Sequence, residues 1–253
     1  MPSDPSPSRV AVITGGSRGI GRATALAAAK RGWRVVVGYV SNEAAARDTV
    51  AAIQAGNGQA IAVRCDVGVE ADILELFRAA DAFGPLGALV NNAGIVGPTA
   101  RVEDLTAERI NRMMQVNVTG SFLCAREAVK RMSTKHGGRG GVIVNLSSVS
   151  AQLGSANIYV DYAATKGAID TLTVGLANEV AAEGIRVAGV RPGLIDTEIH
   201  ASGGDPERAF RLAKGVPLQR VGTADEIANA VVWLMSDEAS YVTGATLNVS
   251  GGR

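Results

Sequence analysis

The stretch RVAVITGGSRGIGRATALAAAKRG, residues 9–32, decides the fold. It opens on a β-branched run that reads as a strand buried on both faces. It closes on GIGRATALAAAKRG, an Ala-rich run of helical period ended by glycine. Between the two the backbone must turn sharply, and glycines at the spacing Gly15-x-x-x-Gly19-x-Gly21 give it that freedom. The unit then recurs. RVVVGYV (34–40) precedes NEAAARDTVAAIQAG (42–56), and QAIAVRCDV (59–67) precedes EADILELFRAADAFG (70–84). GALVNNAG (87–94) is followed by a predicted long helix from about 105 to 135, and GVIVNLSS (141–148) by a helix over 160–183. GIRVAGVRPG (184–193) is the sixth strand. TADE (223–226) has the form of a capping box and opens a last helix ending near Ser236, and TLNVSGG (246–252) is a seventh strand.

Strands separated by helices at this rhythm need crossover connections. The fold class is therefore α/β, a single-domain Rossmann fold with a doubly wound parallel seven-stranded sheet and helices on both faces. Residues 9–253 read as one domain and residues 1–8 as a disordered Pro/Ser-rich tail. Apolar residues make up 47% and charged residues 19% of the 253, with a net charge of +1 and no basic run. That balance excludes a nucleic-acid footprint and an anionic-membrane anchor. No apolar run reaches the length of a membrane span, and the N-terminus lacks a signal pattern, so a cytoplasmic location is expected. Cys65 and Cys124 are expected to be buried free thiols, and no metal-ligand cluster is apparent.

The glycine turn falls between the first strand and the first helix, where free N–H groups and the helix dipole favour an anion. In a first βα unit of this alternation, that anion is a dinucleotide's phosphate. The end of the second strand selects between dinucleotides. An acid there would accept from the adenosine ribose and repel a 2′-phosphate. This chain has Gly38-Tyr39-Val40-Ser41-Asn42, with no carboxylate before Glu43. Arg18 can pair with a phosphate, and Ser41 and Asn42 can donate to it. NADP(H) is favoured, with NAD(H) left open. Asp66, at the end of the third strand, can bond the adenine amino group or cap the next helix.

YAATK (162–166) places a phenol and an ammonium one helical turn apart, so both can reach one point. With TGGSRGIG, NNAG (91–94), SS (147–148), YAATK and RPG (191–193) in this order, the chain resembles the classical short-chain dehydrogenase/reductases over residues 9–251. The mix is most similar to the NADP-dependent branch near β-ketoacyl-carrier-protein reductases and bacterial glucose dehydrogenases. The resemblance implies a catalytic set of Asn117, Ser148, Tyr162 and Lys166. Tyr162 would move the proton, with its pKa lowered by the Lys166 ammonium. Lys166 would also bond the nicotinamide ribose, Ser148 would bond the substrate oxygen, and Asn117 would hold a water. It further implies a cofactor cleft lined by Gly15, Ser17, Arg18, Gly19, Ile20 and Gly21, then Tyr39, Ser41, Asn42, Asp66 and Val67. Asn92, Ala93 and Gly94 follow, with Tyr162, Lys166, Pro192, Gly193, Ile195 and Thr197. The substrate is expected to be a small carbonyl compound or alcohol. Ile95, Val96, Val149, Gln152, Asn157, Tyr159 and residues 194–215 would bound its pocket. The 194–215 segment is expected to act as a lid, with His200 in it solvated and His136 in a loop elsewhere. Relatives suggest a homotetramer built on the two long helices and the last strand. A sugar dehydrogenase and a catalytically silent NADP-binding regulator remain alternatives.

Overall fold

Successive residues of a strand face opposite sides of a sheet, so a sheet covered on both faces divides its core in two. The computed structural model describes residues 9–198, 204–205 and 207–253 and has this organisation. Among them are strands β1 (Val10–Ile13), β2 (Arg34–Tyr39), β3 (Ala60–Arg64), β4 (Leu86–Asn91), β5 (Gly141–Leu146), β6 (Ile185–Pro192) and β7 (Thr246–Val249). They form one parallel seven-stranded sheet in the order β3-β2-β1-β4-β5-β6-β7. On one face Ile13, Val37 and Val144 pack with helix α1 (Gly19–Lys30), helix α2 (Glu43–Ala55) and the last helix (Ala224–Leu234). On the other, Val12, Leu89 and Ile143 meet Leu76 and Phe77 of helix α3 (Glu70–Phe83) and Cys124 and Ala128. Wholly buried side chains such as Ile13, Leu89 and Phe77 each contribute about 2 kcal/mol.

The winding reverses beside β1, whose neighbours are β2 and β4. In such sheets ligands lie beyond the carboxyl ends of the strands at this reversal. The glycine turn and NNAG both end there.

The predicted helix over 105–135 is not continuous. Helix α4 (Ala107–Met114) passes through a π-helical turn (Gln115–Thr119) into helix α5 (Gly120–Met132). The turn carries Asn117, 1% exposed, whose side chain bonds the backbone of Ile95, just past the exit of the preceding strand β4. Such single π turns cluster at functional sites. His136 closes a short 3-10 turn (Thr134–His136). The helix expected over 160–183 is α7 (Val160–Val180), finished by a 3-10 turn (Ala181–Glu183), and a short helix α6 (Ser150–Leu153) precedes it. The two edge strands are the least buried: β3 runs out to an exposed Arg64, and Leu247 of β7 is 42% exposed. The capping box is formed: Thr223 accepts from the Glu226 amide, and Glu226 accepts from the Thr223 amide. Cys65 and Cys124 are buried and free, and burial pushes the Cys65 thiol up to about 12. Among the described residues no helix is long and apolar enough to cross a membrane. The tail over 1–8, His200 and part of the expected lid lie outside the described residues.

Candidate active site

The glycine turn is built by backbone demands that only glycine meets. Gly15 and Gly19 have φ of +63° and +50°, in the left-handed region. A Cβ on Gly21 would stand 2.2 Å from the Gly15 carbonyl oxygen. The turn is clamped from β4: Asn92 Nδ2 donates to the carbonyls of Thr14 (2.8 Å) and Gly15 (3.0 Å). The amides of Asn92 and Ala93 both donate to Thr14 Oγ1 at 3.0 Å. Sequence reasoning did not single out Thr14; its signal was a hydroxyl residue at the last position before the turn. Arg18 is the N-cap of α1, extended at φ −151° and exposed, with no side-chain cap bond. Ser17 is buried beneath it, and Gly19 lies against Thr197 of the opposite wall.

At the end of β2, Tyr39 is buried while Ser41 and Asn42 are exposed. Asn42 Oδ1 caps α2 by accepting the Ala45 amide at 3.0 Å, so its NH2 is the group left to donate elsewhere. Glu43, the first carboxylate after β2, is paired with Arg47 at 2.5 Å. Asp66 accepts from the Gly68 amide (2.8 Å) and from Arg112 (2.7 Å). Partial burial opposes its ionisation, but those partners hold it below the usual carboxylate range. Val67 is buried, with its carbonyl against Gly120.

The other end of the cleft gathers the predicted catalytic set. Asn117 Oδ1 accepts the Ile95 amide (2.8 Å), and its Nδ2 donates to the Ile95 carbonyl (2.9 Å) and to Thr165 Oγ1 (3.1 Å). Its side chain is thus fully engaged in holding the NNAG exit against α7. A Cβ on Gly94 would stand 3.3 Å from Asn117 Oδ1 and 3.7 Å from Lys166 Nζ. Ser147 donates to the Lys166 carbonyl at 3.1 Å and so braces α7, whereas Ser148 Oγ accepts the Ser150 amide at 3.1 Å and lies beside the Tyr162 hydroxyl, whose ionised form it favours. Ser148, Tyr162 and Lys166 line one cavity of about 380 Å³. Ile20, Asn92 and Gly94 on one side, and Pro192, Gly193, Ile195 and Thr197 on the other, connect it to the glycine turn.

The electrostatics correct one expectation. Lys166 Nζ donates to the Leu146 carbonyl at 2.7 Å and lies 5.6 Å from the Tyr162 ring centre. Burial drives the Tyr162 phenol above its ordinary value, only partly offset by the Ser148 hydrogen bond. The lowering by Lys166 expected from the i, i+4 spacing is not among the causes of the shift: desolvation acts on the whole phenolate charge and dominates. Lys166 moves the other way: burial pulls it down to about 8, against the raising field of Asp170. Between about 8 and 10.5 the unfolded lysine keeps its proton while the folded one has lost it. The unfolded state then binds more protons, so stability rises with pH across that window. Lys166→Met is expected to abolish that rise, about 3 kcal/mol in full, read as the difference in urea midpoints between neutral pH and pH ~10.

The pocket wall also differs from expectation. Val96, Val149 and Tyr159 line the cavity, but Ile95, Gln152 and Asn157 do not. Ile95 is held by Asn117, Gln152 accepts from Asn248 Nδ2 at 3.2 Å, and Asn157 accepts from Arg101 at 3.3 Å. Their places are taken by Thr99, Leu153, Ser155 and Ile158, and Arg208 and Arg253 line the same cavity.

The family described as Enoyl-(Acyl carrier protein) reductase matches residues 15–253. Uncharacterized oxidoreductase YgfF of Escherichia coli (strain K12) is 56% identical over 245 residues, 96% of this chain and 99% of the relative. Glucose 1-dehydrogenase 2 of Bacillus subtilis (strain 168) is 40% identical over 245 residues, 96% of this chain and 94% of the relative. Among solved structures, a short chain dehydrogenase from Burkholderia cenocepacia J2315 in complex with NADP is 32% identical. It covers 96% of this chain and 97% of its own, with a TM-score of 0.88.

Proposed function

The chain belongs to the short-chain dehydrogenase/reductase family, and from that premise we propose that it is an NADP(H)-dependent oxidoreductase of carbonyl compounds and secondary alcohols, with Tyr162 as general acid and base. The observation that carries this reading is the meeting of Ser148, Tyr162 and Lys166 in one cavity joined to the glycine turn. When bound, the nicotinamide supplies or takes the hydride. The residues present fit it: Gly15, Gly19 and Gly21 leave the turn open to a diphosphate, and Gly94 keeps the space beside Asn117 and Lys166 free of a side chain. Lys166, buried and cationic below about pH 8, is the group that bonds its ribose.

In reduction, hydride arrival leaves negative charge on the substrate oxygen. Tyr162, kept protonated by its burial, gives that oxygen its proton, and an alkoxide is a far stronger base than a phenolate. Ser148 stabilises the same charge by donating a hydrogen bond. Asn117 keeps the NNAG exit and α7 in register. This complete set argues against a silent regulator. A sugar dehydrogenase is the second reading, favoured by the likeness to Glucose 1-dehydrogenase 2 and by the hydroxyls of Thr99, Ser150 and Ser155 in the cavity. The cytoplasmic location and the homotetramer on α5, α7 and β7 belong to the same proposal. The exposed Phe122 and Val174 on those helices suit an interface.

The preference for NADP(H) rests on the absence of an acid at the end of β2, the pairing of Glu43 with Arg47, and the exposed Arg18. The NADP complex of the Burkholderia cenocepacia neighbour agrees with it. The test is a panel of ketones, acyl thioesters and sugars followed by NADPH absorbance, with NADH alongside. Oxidation of NADPH by none of them, and reduction of NADP by no alcohol or sugar, would end this reading. Arg18→Ala is expected to raise the KM for NADPH about tenfold, the loss of one charge-assisted phosphate contact, and to move the KM for NADH about twofold or less. Equal effects on both would remove Arg18 from 2′-phosphate recognition.

A further inference from the structure

The cavity beside Tyr162 holds a cation that the proton transfer does not use. Arg208, the first residue of the helix Arg208–Leu212, is 9% exposed and lines the cavity. Its guanidinium carbon lies 4.9 Å from the centre of the Tyr159 ring. Among the described residues no carboxylate forms an ion pair with it. Asp205, which lines the same cavity, is gripped through both oxygens by Arg211, at 3.1 Å on one of them. Arg253 lines the cavity as well, and the fields of Arg208 and Arg253 both oppose the burial that raises the Tyr159 phenol.

An arginine nine-tenths withdrawn from water gives up part of its guanidinium hydration, a loss that a counter-charge offsets. Stacking on one aromatic ring returns only about 0.5–2 kcal/mol. The planar fork suits two carboxylate oxygens at once, a geometry that an ammonium does not offer. The spacing fits one small molecule. The Tyr159 and Tyr162 rings meet edge to face with centres 5.5 Å apart, so a carboxylate at Arg208 and a carbonyl at Tyr162 belong to the two ends of a short chain or ring.

Resting on the reading of Tyr162 as proton donor, we propose that the substrate is a carbonyl compound that also bears a carboxylate, with the carboxylate held by Arg208 and the carbonyl oxygen between Ser148 and Tyr162. A hydride and a proton add across the C=O bond to give the hydroxy acid, and the carboxylate is unchanged. A neutral sugar would leave Arg208 without a counter-charge.

The test compares oxo acids of increasing chain length with their methyl esters, which keep the shape and remove the charge. The wild type is expected to favour the best acid over its ester at least about tenfold in kcat/KM. Arg208→Met is expected to bring that ratio to near one, chiefly through the KM of the acid, and Arg208→Lys to fall between. The wild-type ratio needs no variant, so a misfolded Arg208→Met leaves the proposal open to refutation. A wild-type ratio near one, or a ratio that survives Arg208→Met, overturns it. Equilibrium binding of hexanoate and methyl hexanoate provides a readout independent of turnover. Acid-selective binding lost in Arg208→Met supports the carboxylate site even if no ketone is reduced, in which case it is the oxidoreductase reading that fails. No preference for the acid in both measurements sinks the carboxylate site alone.

Discussion

Tyr162→Phe is expected to lower kcat about a thousandfold, roughly 4 kcal/mol of barrier, while NADPH binds as tightly as before. The substitution removes one oxygen and keeps the ring. The ring is 9% exposed and meets Tyr159 edge-on, 87° between planes, a contact that phenylalanine preserves. The change should therefore leave the fold in place. What disappears is the proton, in a site where little can replace it. Tyr159 is the nearest other phenol, but Arg208 covers its ring, and its i+4 neighbour is Ala163 rather than a lysine. Ser148 is too weak an acid to serve. Turnover is read by NADPH absorbance and binding by quenching of the protein's fluorescence. More than about a tenth of wild-type kcat would show that the proton reaches the substrate by another path.

That variant also marks where the sequence stops being informative. The spacing of Tyr162 and Lys166 fixes that they share a helix face, and the structure puts both in one cavity. The direction of the Tyr162 shift was not legible, because it depends on how much protein surrounds the phenol, and that comes from β5, β6 and α6. The alternation of strands and helices, and the glycine turn, were readable because each is local: a period, a cap, a residue that only tolerates one backbone. The π turn at Asn117 was not. Its composition is that of ordinary helix, and what accompanies it is a long-range pair of bonds from Asn117 to both backbone groups of Ile95. Arg208 was hidden for the same reason. Nothing in RAFRL distinguishes an arginine over an aromatic ring from one in solvent. Asn157 erred in the opposite sense: polar and near Tyr159 in sequence, it takes φ +61° and turns its side chain to Arg101, away from the cavity.

Gly21→Ala is expected to weaken NADPH binding about a hundredfold and to lower the melting temperature as well. One methyl group is the whole perturbation, and its neighbours are fixed. The added Cβ would stand 2.2 Å from the Gly15 oxygen and 2.5 Å from Asn92 Nδ2, far inside contact distance. The first of these is backbone, so no rotamer change relieves it. Gly15 itself cannot yield freely, since its φ of +63° and its bond to Asn92 hold it in the turn. Relief must come from moving the turn away from α1, which breaks the Asn92 clamp and displaces the amides that would face the diphosphate. Overpacking of this kind costs about 1–3 kcal/mol of stability. The loss of binding follows from geometry rather than from lost contacts, so it should exceed the loss of stability. Gly56→Ala is the control. It caps α2 at φ −88°, its Cβ would meet nothing closer than 3.5 Å, and both stability and NADPH binding should stay near wild type. If Gly21→Ala bound NADPH as well as Gly56→Ala does, the close approach of Gly15 and Gly21 would not be what shapes the phosphate site. The assignment of the turn as the cofactor's anchor would then lose its physical basis.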